Sequence, residues 1–576
     1  MSRAIVTFRC GDYDRVGSIK TYVRNLCGAC AMSPTISKVF IANRGEIALR
    51  ILRACDRLGV SAVCAVSEVD LHSLVARTAA EIALLGPAPA RESYLNIERI
   101  VGAAIEHGCD ALHPGYGFLS ENAAFAQAVV DAGITFIGPD PKMIEFLGDK
   151  VAARARVEQF GVPFTKGSPG SLSNEELLAL AQSIGFPLII KAAAGGGGRG
   201  MRVVRSYEQM VEELPHARSE AVKFFGSDNV YFEQFIEKPR HVEVQIMGDS
   251  HGNILHFGTR DCSAQRRNQK VIEEAPAPFL SDELRDKIHI AAVNVARSVD
   301  YRNAGTVEFM VKDDALYFLE MNTRIQVEHP VTEMVTGVDL VEMQIRVARG
   351  EPIGLKQADV VTSGHAIELR VYAEDPESDF APSTGVLEQV VFPGSRPQEF
   401  RIEAGYEEGD KISRHYDAMI AKLIVKGADR YQALDRAREA ISQTTITGVR
   451  TNCDFLGWLL RDTPFRARPL DIQWIGRENR RDDVARYRAS RMVKDPAHRI
   501  VGTIGEYQER FIVPDPHGVE LEVMITHKRD GTFVAELLGP CGESYSGRSP
   551  RTMRRWSNDR EAAIASLCQE VINERK

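Results

Sequence analysis

Short apolar runs alternate with amphipathic segments from residue 38 onward. Apolar runs occupy 38–42 and 61–66. Between them, the apolar positions recur at the spacing of an α-helix: Ile47, Ile51, Leu52, Cys55 and Leu58. A strand, a helix and a second strand in this order predict the start of a parallel α/β sheet.

Three further apolar runs continue this pattern, with helical periodicity between them. They lie at 81–85, 110–113 and 134–137. We therefore predict one doubly wound domain over 38–150. Residues 1–37 show no such periodicity and no apolar secretory core, and we interpret them as an irregular extension of a chain whose translation begins at Met32. A transit peptide is the alternative, although the acidic residues of this segment disfavour it.

From 151 to 240 the pattern is that of a small α+β lid region. Strands are predicted at 187–191 and 201–205, and the loop between them contains four consecutive glycines. Strand-rich segments followed by helices then fill 241–476. They include a predicted hairpin over 305–323 and indicate the core of a second, larger unit.

The chain after 477 divides into a predicted linker and a small β-plus-helix module. The linker is the arginine-rich stretch 477–499, and the module spans 500–576. Its predicted elements are two strands of alternating polarity, the hairpin turn between them and a closing helix: 519–525, 533–537, Asp530-Gly531 and 559–574.

The composition limits the classes of function. The chain has 576 residues, 44% of them hydrophobic and 26% charged, which predicts three or four globular domains. A net charge of -8 gives no general attraction to nucleic acid or anionic membranes. No stretch approaches the roughly 18 apolar residues of a membrane span. The 10 scattered cysteines indicate a reducing compartment, and we predict the cytoplasm.

The glycine-rich loop between the two lid strands is a candidate phosphate-binding loop. Its glycines expose backbone N–H groups, and Lys191 and Arg199 add positive charge. It lacks the Gly-Lys-Ser/Thr ending of a P-loop, and it joins two strands rather than opening a helix as a dinucleotide fingerprint does. A flexible surface hairpin is the alternative.

A run of alternating polar residues, EMNTRIQVEHP at 320–330, follows the predicted hairpin. In an extended chain five polar side chains of this run share one face: Glu320, Asn322, Arg324, Gln326 and Glu328. With a hairpin loop of three residues (313–315), Glu308 lies opposite Glu320. Two facing carboxylates repel each other unless a cation lies between them, which predicts Mg²⁺ with Asn322 as a further oxygen ligand. A solvated edge strand is the alternative.

The run 320–330 resembles the signature shared by biotin carboxylases and carbamoyl-phosphate synthetases, and the glycine loop resembles their nucleotide-grasping loop. Three further segments narrow the resemblance to biotin carboxylase: KVFIANRGEIALRILR at 38–53, HPGYGFLSEN at 113–122 and DCSAQRRNQKVIEEAP at 261–276. The resemblance covers about 38–475. It implies an ATP-grasp fold preceded by a doubly wound domain, and ATP- and bicarbonate-dependent carboxylation of biotin.

The resemblance also implies roles for individual residues. Those that would hold ATP are Lys150, Lys191, Gly197, Gly198, Glu233, Gln234, Phe235, Ile236, His241, Gln265 and Asn268. Magnesium or manganese, bridging to the nucleotide, would be held by Glu308, Glu320 and Asn322. Bicarbonate would be held by Lys270, Arg324, Gln326 and Val327. Glu328 would be the general base, and Arg370 would face biotin with Tyr116 nearby. We expect structural roles for His113, His329 and Cys262.

Two positions depart from the family pattern. Asn268 replaces a usual histidine that would contact a nucleotide phosphate, and we expect weaker ATP retention rather than loss of chemistry. Ala194 replaces a frequent glycine, and we expect a slightly stiffer lid loop.

No Ala-Met-Lys-Met tetrapeptide, the site of biotin attachment in carrier domains, occurs in the sequence. We therefore expect biotin on a separate carrier protein, a carboxyltransferase subunit that transfers the carboxyl group to an acyl-CoA or a 2-oxo acid, and, by resemblance, a homodimer. The 500–576 module is a candidate docking site for these partners; a stabilising appendage is equally compatible. Two rival functions are another ATP-grasp carboxylate ligase and a non-catalytic nucleotide-binding homologue.

Overall fold

The computed structural model describes residues 36–170, 172–193, 201–394, 396, 398–477, 484, 487, 501–503, 506–514, 520–527, 533–540 and 554–557. Several helices begin at a side chain whose oxygen accepts a backbone N–H of the first turn: Asn96, Asn122, Asp140, Asp149, Ser173, Ser206, Ser281, Asp339 and Asp429. Within these described ranges, no helix is both long and apolar enough to cross a bilayer.

The amino-terminal unit is a parallel α/β sheet, as the apolar runs predict. Its elements are β1 (Lys38–Ile41), α1 (Gly45–Arg57), β2 (Ser61–Ser67), α2 (Leu74–Thr78), β3 (Ile82–Gly86), α3 (Ile97–Glu106), β4 (Ala111–His113), α4 (Ala123–Asp131), β5 (Thr135–Phe136) and α5 (Pro141–Gly148). The strand order is β3-β2-β1-β4-β5. Val39, Phe40 and Ile41 are all fully buried, because helices cover both faces of a sheet of this kind.

The order of these strands reverses between β1 and β4, and the loops that follow them meet at this point. Asn43 Nδ2, after β1, donates hydrogen bonds to the carbonyls of Pro114 (2.7 Å) and Tyr116 (2.8 Å), after β4. Two of the segments that carry the family resemblance are thereby in contact at the edge where doubly wound sheets bind ligands.

The lid region is a three-stranded antiparallel sheet with helices. After α6 (Lys150–Glu158), its elements are α7 (Asn174–Ile184), β6 (Leu188–Ala192), β7 (Arg202–Val204), α8 (Tyr207–Phe225) and β8 (Val230–Gln234). The order is β7-β6-β8, and Leu177, Ile190 and Phe232 are fully buried in the apolar core of the region. Both predicted strands are present. The loop between them, with Gly197 and Gly198, lies outside the described residues.

The largest element is an eight-stranded antiparallel sheet. The first elements of this part are β9 (Arg240–Gly248), β10 (Ile254–Arg266), β11 (Gln269–Ala275), α9 (Asp282–Ser298), β12 (Asn303–Lys312), β13 (Ala315–Asn322), α10 (His329–Thr336) and α11 (Leu340–Ala348). They are followed by β14 (His365–Tyr372), β15 (Glu374–Asp375), β16 (Ala381–Pro382), β17 (Gly385–Val386), β18 (Gln389–Val391), β19 (Phe400–Ala404), β20 (Lys411–Ile412), β21 (Met419–Gly427), α12 (Arg430–Gln443), β22 (Thr445–Thr447), α13 (Cys453–Leu459), α14 (Thr463–Ala467) and α15 (Trp474–Arg477). The sheet order is β13-β12-β9-β10-β11-β14-β21-β19.

The β12–β13 hairpin brings Glu308 opposite Glu320, as predicted, but by a different route. Lys312 pairs with Ala315, so the loop has two residues rather than the three predicted. A register shift between Glu308 and Phe309 restores the expected partners. A bulge of this kind inserts one residue into one strand, which offsets the shorter loop.

The predicted continuation of β13 as an extended strand to residue 330 is wrong. The strand ends at Asn322, and the chain turns at Val327-Glu328 into α10, which begins at His329. Strict alternation of side chains therefore stops at Asn322. The signature residues beyond it meet because of this turn, which brings Glu328 back to the sheet.

The helices after β21 pack on the second half of the sheet. Their apolar core contains the stacked rings of Trp458 and Trp474, 6.3 Å apart. Val484 and Tyr487, inside the stretch predicted as a linker, are helical and buried in the same core. At the other end, Ile36 is buried and Ser37 N donates to Asp110, so these last two residues of the predicted irregular extension pack on the first unit.

The carboxyl-terminal module contains a five-stranded antiparallel meander. Its strands are β23 (Val501–Thr503), β24 (Glu506–Pro514), β25 (Glu520–His527), β26 (Phe533–Pro540) and β27 (Arg554–Ser557). They pair in sequence order, and the two strands predicted from alternation are neighbours. The predicted Asp530-Gly531 turn and the helix at 559–574 lie outside the described residues.

Candidate active site

A row of charged side chains crosses one face of the eight-stranded sheet. In the strand register, Glu320 of β13 lies opposite Glu308 of β12, and Glu308 lies opposite Glu243 of β9. Glu243 in turn lies opposite Arg260 of β10. Because directly opposed residues of antiparallel strands project to the same face, register alone aligns these groups. Glu243 and Arg260 are fully buried, although charged residues are rarely buried unless they are paired.

Lys270 lies where several carboxylates converge. Its Nζ is 2.7 Å from Glu243 Oε2 and 3.3 Å from Glu308 Oε1, and it also donates to Glu328 Oε1. Burial opposes the charge of Lys270, but the surrounding acidic groups hold its pKa well above the ordinary value. The ammonium therefore remains charged, and an anion bound here would take the place of one of these three carboxylate contacts.

Glu328 is the other centre of the cluster. Arg370 Nη2 lies 2.9 Å from Glu328 Oε2, on the opposite side of the carboxylate from Lys270. Burial alone would raise the pKa of Glu328, but Lys270, Arg370 and Arg260 hold it well below the ordinary value. The sequence could suggest Glu328 as the general base only by resemblance, since the turn that places Glu328 between two cations was not predicted.

Arg260 is a residue that sequence analysis missed. Its guanidinium pairs with Glu243 and donates to Gln245, Thr306, Thr332 and Gln326, each from a different part of the site. It fixes Gln326, which in turn donates to Glu308 Oε1 at 2.7 Å. A fully buried arginine that uses its donor fork this way is a structural hub. Its strand, ILHFGTRDCSAQR, contains several other polar residues, so no local pattern singles out Arg260.

The predicted metal ligands form a donor set that suits Mg²⁺ or Mn²⁺. Glu308 and Glu320 face each other in register, and Asn322 lies two residues along the same strand. Hard divalent cations prefer such carboxylate and amide oxygens. Burial raises the pKa of Glu308, but the larger combined effect of Lys270 and His241 holds the pKa below its ordinary value. This carboxylate is therefore ionised, as a metal ligand must be.

The residues predicted to hold ATP fall into two groups. Around Glu233, Lys191 Nζ lies 3.0 Å from Oε2, Thr165 Oγ1 donates to the same oxygen, and Arg154 pairs with Oε1. Lys150 pairs with Glu320 at 2.9 Å and thus links this group to the predicted metal ligands.

The second group lies over β9 and β10. His241 Nε2 is 3.1 Å from Glu308 Oε2, and Gln265 Nε2 is 3.3 Å from His241 Nδ1. Asn268 is further away: it occupies the exposed tip of the β10–β11 hairpin, where Arg267 and Asn268 both have positive φ, 49° and 66°. A two-residue loop with this geometry favours asparagine, which gives the unexpected residue a conformational reason.

The predicted adenine segment offers fewer backbone groups than expected. Gln234 N already donates to Lys166 O (2.7 Å) and Phe235 N to Pro187 O (2.9 Å). Because these two donors are engaged, they cannot also contact a base edge.

The residues predicted on the bicarbonate and biotin side also converge. Arg324 Nη2 donates to Asn322 Oδ1 at 2.9 Å and pairs with Glu121, which belongs to the HPGYGFLSEN segment. Tyr116, of the same segment, donates to Glu46. Cys262, expected to be structural, has its Sγ 3.9 Å from Glu328 Oε1.

Three family models match consecutive parts of the chain. They are the biotin carboxylase N-terminal domain over 35–144, the ATP-binding domain of the carbamoyl-phosphate synthase L chain over 149–356, and the biotin carboxylase C-terminal domain over 368–477. The chain belongs to the biotin carboxylase family. The second part of the chain has the ATP-grasp fold, as the resemblance implied.

Curated biotin carboxylases match most of the chain. That of Nostoc sp. is 47% identical over 445 residues, 77% of this chain and 99% of that protein. That of Haemophilus influenzae is 48% identical over 442 residues, 76% of this chain and 98% of that protein. The mitochondrial methylcrotonoyl-CoA carboxylase subunit alpha of Glycine max is 48% identical over 452 residues, 78% of this chain but 61% of that protein. The chain thus spans under two thirds of this last relative.

Solved structures of biotin carboxylases share the fold. The biotin carboxylase–β,γ-ATP complex from Campylobacter jejuni has a TM-score of 0.75 and 41% identity, covering 77% of this chain and 99% of that chain. The biotin carboxylase domain dimer of Hydrogenobacter thermophilus 2-oxoglutarate carboxylase, with MgADP, ADP and bicarbonate, has a TM-score of 0.74 and 44% identity, covering 77% and 98%.

Proposed function

We propose that this chain carboxylates biotin on a separate carrier protein, using ATP and bicarbonate and forming carboxyphosphate as an intermediate. The observation that carries the proposal is the position of the Glu328 carboxylate between the Lys270 ammonium and the Arg370 guanidinium. A base held between two cations is suited to receive a small anion, deprotonate it and neutralise the charge that develops.

In the first step, a bicarbonate oxygen attacks the γ-phosphorus of ATP. The bond to the bridging oxygen breaks, and ADP leaves with that electron pair. Lys270, Arg324 and Gln326 would orient bicarbonate, with Val327 lining it, and Glu328 would take its proton. An anion bound beside Glu328 raises the pKa of this carboxylate, which makes it a stronger base in the complex than in the free protein.

The residues of the nucleotide side bind and neutralise the triphosphate. Lys150, Lys191 and His241 supply positive charge or donors for phosphate oxygens, which is the main protein contribution to phosphoryl transfer. Glu308, Glu320 and Asn322 would hold magnesium or manganese, which when bound neutralises charge on the phosphates.

In the second step, carboxyphosphate divides into CO₂ and phosphate. The phosphate takes the ureido N–H proton of biotin, and the resulting nitrogen nucleophile attacks CO₂ to give carboxybiotin. Arg370 would stabilise the ureido oxygen as it becomes enolate-like, because its guanidinium keeps a fixed charge next to Glu273 and Glu328. Tyr116 would lie on the biotin side.

The proposal includes partners and location. We infer a biotin carrier protein and a carboxyltransferase that passes the carboxyl group to an acyl-CoA or 2-oxo acid, a homodimer, and the cytoplasm, where the free cysteines of the described residues remain reduced. The 500–576 module remains our candidate for docking. Deleting it should abolish assembly with the partners and spare the ATPase activity; unchanged assembly would contradict this role.

The test is ATP hydrolysis by the purified chain, measured with and without bicarbonate, Mg²⁺ and free biotin. We expect hydrolysis to require bicarbonate and Mg²⁺, to stop on chelation with EDTA and to accelerate with biotin. Arg370→Ala should lose the acceleration by biotin, whereas Glu408→Gln, at an exposed position, should retain it. ATP binding without any bicarbonate-dependent hydrolysis would contradict the proposal and favour the non-catalytic alternative.

A further inference from the structure

Lys422 is a buried cation that lies next to the site but has no part in the chemistry described so far. It is fully buried on β21, directly opposite Arg370 of β14. A lysine without solvent is costly, and methionine of similar length would fill the same space at lower cost. Its ammonium therefore needs partners that use the charge.

The ammonium of Lys422 holds the backbone of the catalytic turn. Its Nζ donates to the carbonyl oxygen of Val327 at 2.8 Å. Val327 immediately precedes Glu328, and Glu328 is the N-cap of α10. The Glu328 side chain makes no capping hydrogen bond. A fixed carbonyl at 327 thus restrains the peptide that orients both the predicted bicarbonate contact and the base.

The counter-charge of Lys422 comes from the first domain. Glu46 Oε2 lies 3.2 Å from Lys422 Nζ, and Glu46 is itself buried in the first turn of α1. Tyr116 donates its hydroxyl to the other Glu46 oxygen. Glu46 belongs to the segment KVFIANRGEIALRILR at 38–53, which has no role in the reaction as described above, and Tyr116 lies on the predicted biotin side.

The contact between the two domains is tight at this point. A Cβ at Gly405, just after β19, would lie 2.7 Å from the backbone nitrogen of Glu46. Only glycine allows this approach. The α1 amino terminus is therefore pressed against the carboxyl-terminal part of the sheet, which leaves Glu46 little freedom to move away from Lys422.

We propose that Lys422 is a positioning residue for the reaction: with Glu46 as its partner, it fixes the Val327–Glu328 turn and joins the bicarbonate side of the site to Tyr116 on the biotin side. The inference rests on the proposed function. Without the ammonium, the turn loses its restraint and the bicarbonate contacts of Val327 and Glu328 shift, whereas the ATP contacts around Glu233 and Lys150 are unaffected.

The experiment separates positioning from folding. Bicarbonate-dependent ATP hydrolysis without biotin gives the KM for bicarbonate and for ATP, biotin addition gives the stimulation, and thermal unfolding gives Tm. The variants are Lys422→Met, Glu46→Gln and the double variant, which removes both charges. Lys426→Met is the matched control, since Lys426 lies on the same strand and face but is distant from the site in register.

We expect Lys422→Met to raise the KM for bicarbonate by about tenfold or more, the effect of losing a hydrogen bond from a charged donor, with the KM for ATP changed less than about twofold. The double variant should recover part of the Tm lost in the single variants, because neither member of the Lys422–Glu46 pair is left without the other. It should keep the raised KM for bicarbonate and the reduced stimulation by biotin. Lys426→Met should match the unmodified chain.

A folded double variant with the unmodified KM for bicarbonate would overturn the inference and leave Lys422 a purely structural residue. An equal rise in both KM values would do the same, since it would indicate general distortion. If the unmodified chain hydrolyses no ATP in response to bicarbonate, the proposed function itself fails, and the inference fails with it.

Discussion

The parallel sheet and the eight-stranded sheet are both deeply buried, but they are buried with opposite kinds of side chain. In β1, Val39, Phe40 and Ile41 have no exposed surface. In the antiparallel sheet the fully buried side chains include ionisable ones that are held in ion pairs: Glu243, Arg260, Glu273 and Lys422. Apolar burial stabilises the first sheet directly, whereas the charges of the second are stable only as a paired set.

The apolar and the charged layers tolerate different kinds of substitution. An apolar layer tolerates small losses of volume, because the cost grows with the cavity left behind. A charged layer tolerates paired changes but not single ones, because each removed partner leaves a buried charge without compensation. Such a layer provides the fixed charges that a reaction of bicarbonate with ATP requires.

The largest expected effect concerns activity in the charged layer. Glu328→Gln keeps the shape of the side chain but cannot take a proton, so bicarbonate-dependent hydrolysis should fall by about 10²- to 10⁴-fold. ATP binding, measured by calorimetry, should remain. A rate within threefold of the unmodified chain would rule out Glu328 as the base; exposed Glu408→Gln is the control.

The next effect contrasts the stability of the two sheets. Arg260→Met removes the guanidinium partner of Glu243, leaves it only Lys270 and removes the other hydrogen bonds that Arg260 donates. It should lower the free energy of unfolding by about 3–5 kcal/mol. Ile41→Val, at a fully buried position of β1 in the parallel sheet, should cost about 0.5–1.5 kcal/mol. Chemical denaturation measures both. Adding Glu243→Gln to Arg260→Met should recover part of the loss; equal costs in the two sheets would contradict the comparison.

A third effect concerns pH. Burial lowers the pKa of His113 from 6.5 to about 3, so the ring is neutral in the folded protein. The unfolded chain binds a proton there below about pH 6.5, and the stability contributed by neutral His113 is lost as pH falls from that value towards 3. We expect His113→Gln to reduce the drop in Tm between pH 7.5 and 5. The exposed His72→Gln should keep the full drop in Tm. The same full drop in His113→Gln would show that buried His113 does not cause it.

The charged layer should respond at lower pH. Burial raises the pKa of Glu274, but hydrogen bonds from His365 and Arg430 outweigh this effect and lower the pKa to about 2. A carboxylate with a depressed pKa contributes stability above its unfolded value and loses it only as pH falls through the folded value. In a His365→Gln background, which removes the imidazole partner and leaves Arg430, Glu274→Gln should therefore shift Tm by the same amount at every pH between 7.5 and 5. A shift that shrinks over this range would contradict the expected titration.

The smallest effect concerns the hairpin tip. Asn268→His adds a donor that can be charged near the predicted phosphate site, and it should lower the KM for ATP by about two- to fivefold. Histidine tolerates positive φ better than most residues, so Tm should hardly change. Asn268→Gln, a longer amide without charge, is the control. An unchanged KM in both variants would indicate that the exposed tip does not reach the nucleotide.

The accuracy of the sequence interpretation differs between the same two regions. In the first unit, continuous apolar runs and period-3.6 patterns record burial directly, and all five strands were predicted. Around the site, Glu308 and Glu320 were correctly opposed, but the loop length was wrong and a bulge offset the error. The strand predicted through Glu328 ends at Asn322, because a polar alternating run cannot distinguish a strand from a turn held by ion pairs.

By itself, the sequence determined the parallel sheet, the β12–β13 hairpin, the family and the residues that carry its motifs, because these depend on local periodicity and on continuous segments. Only the tertiary structure decided which charges are partners. Arg260 with Glu243, Arg370 with Glu328, and Lys422 with Glu46 are 17, 42 and 376 residues apart in the chain. Their pairing depends on strand order and register, and the cost of burying a charge acts only once the strands are packed.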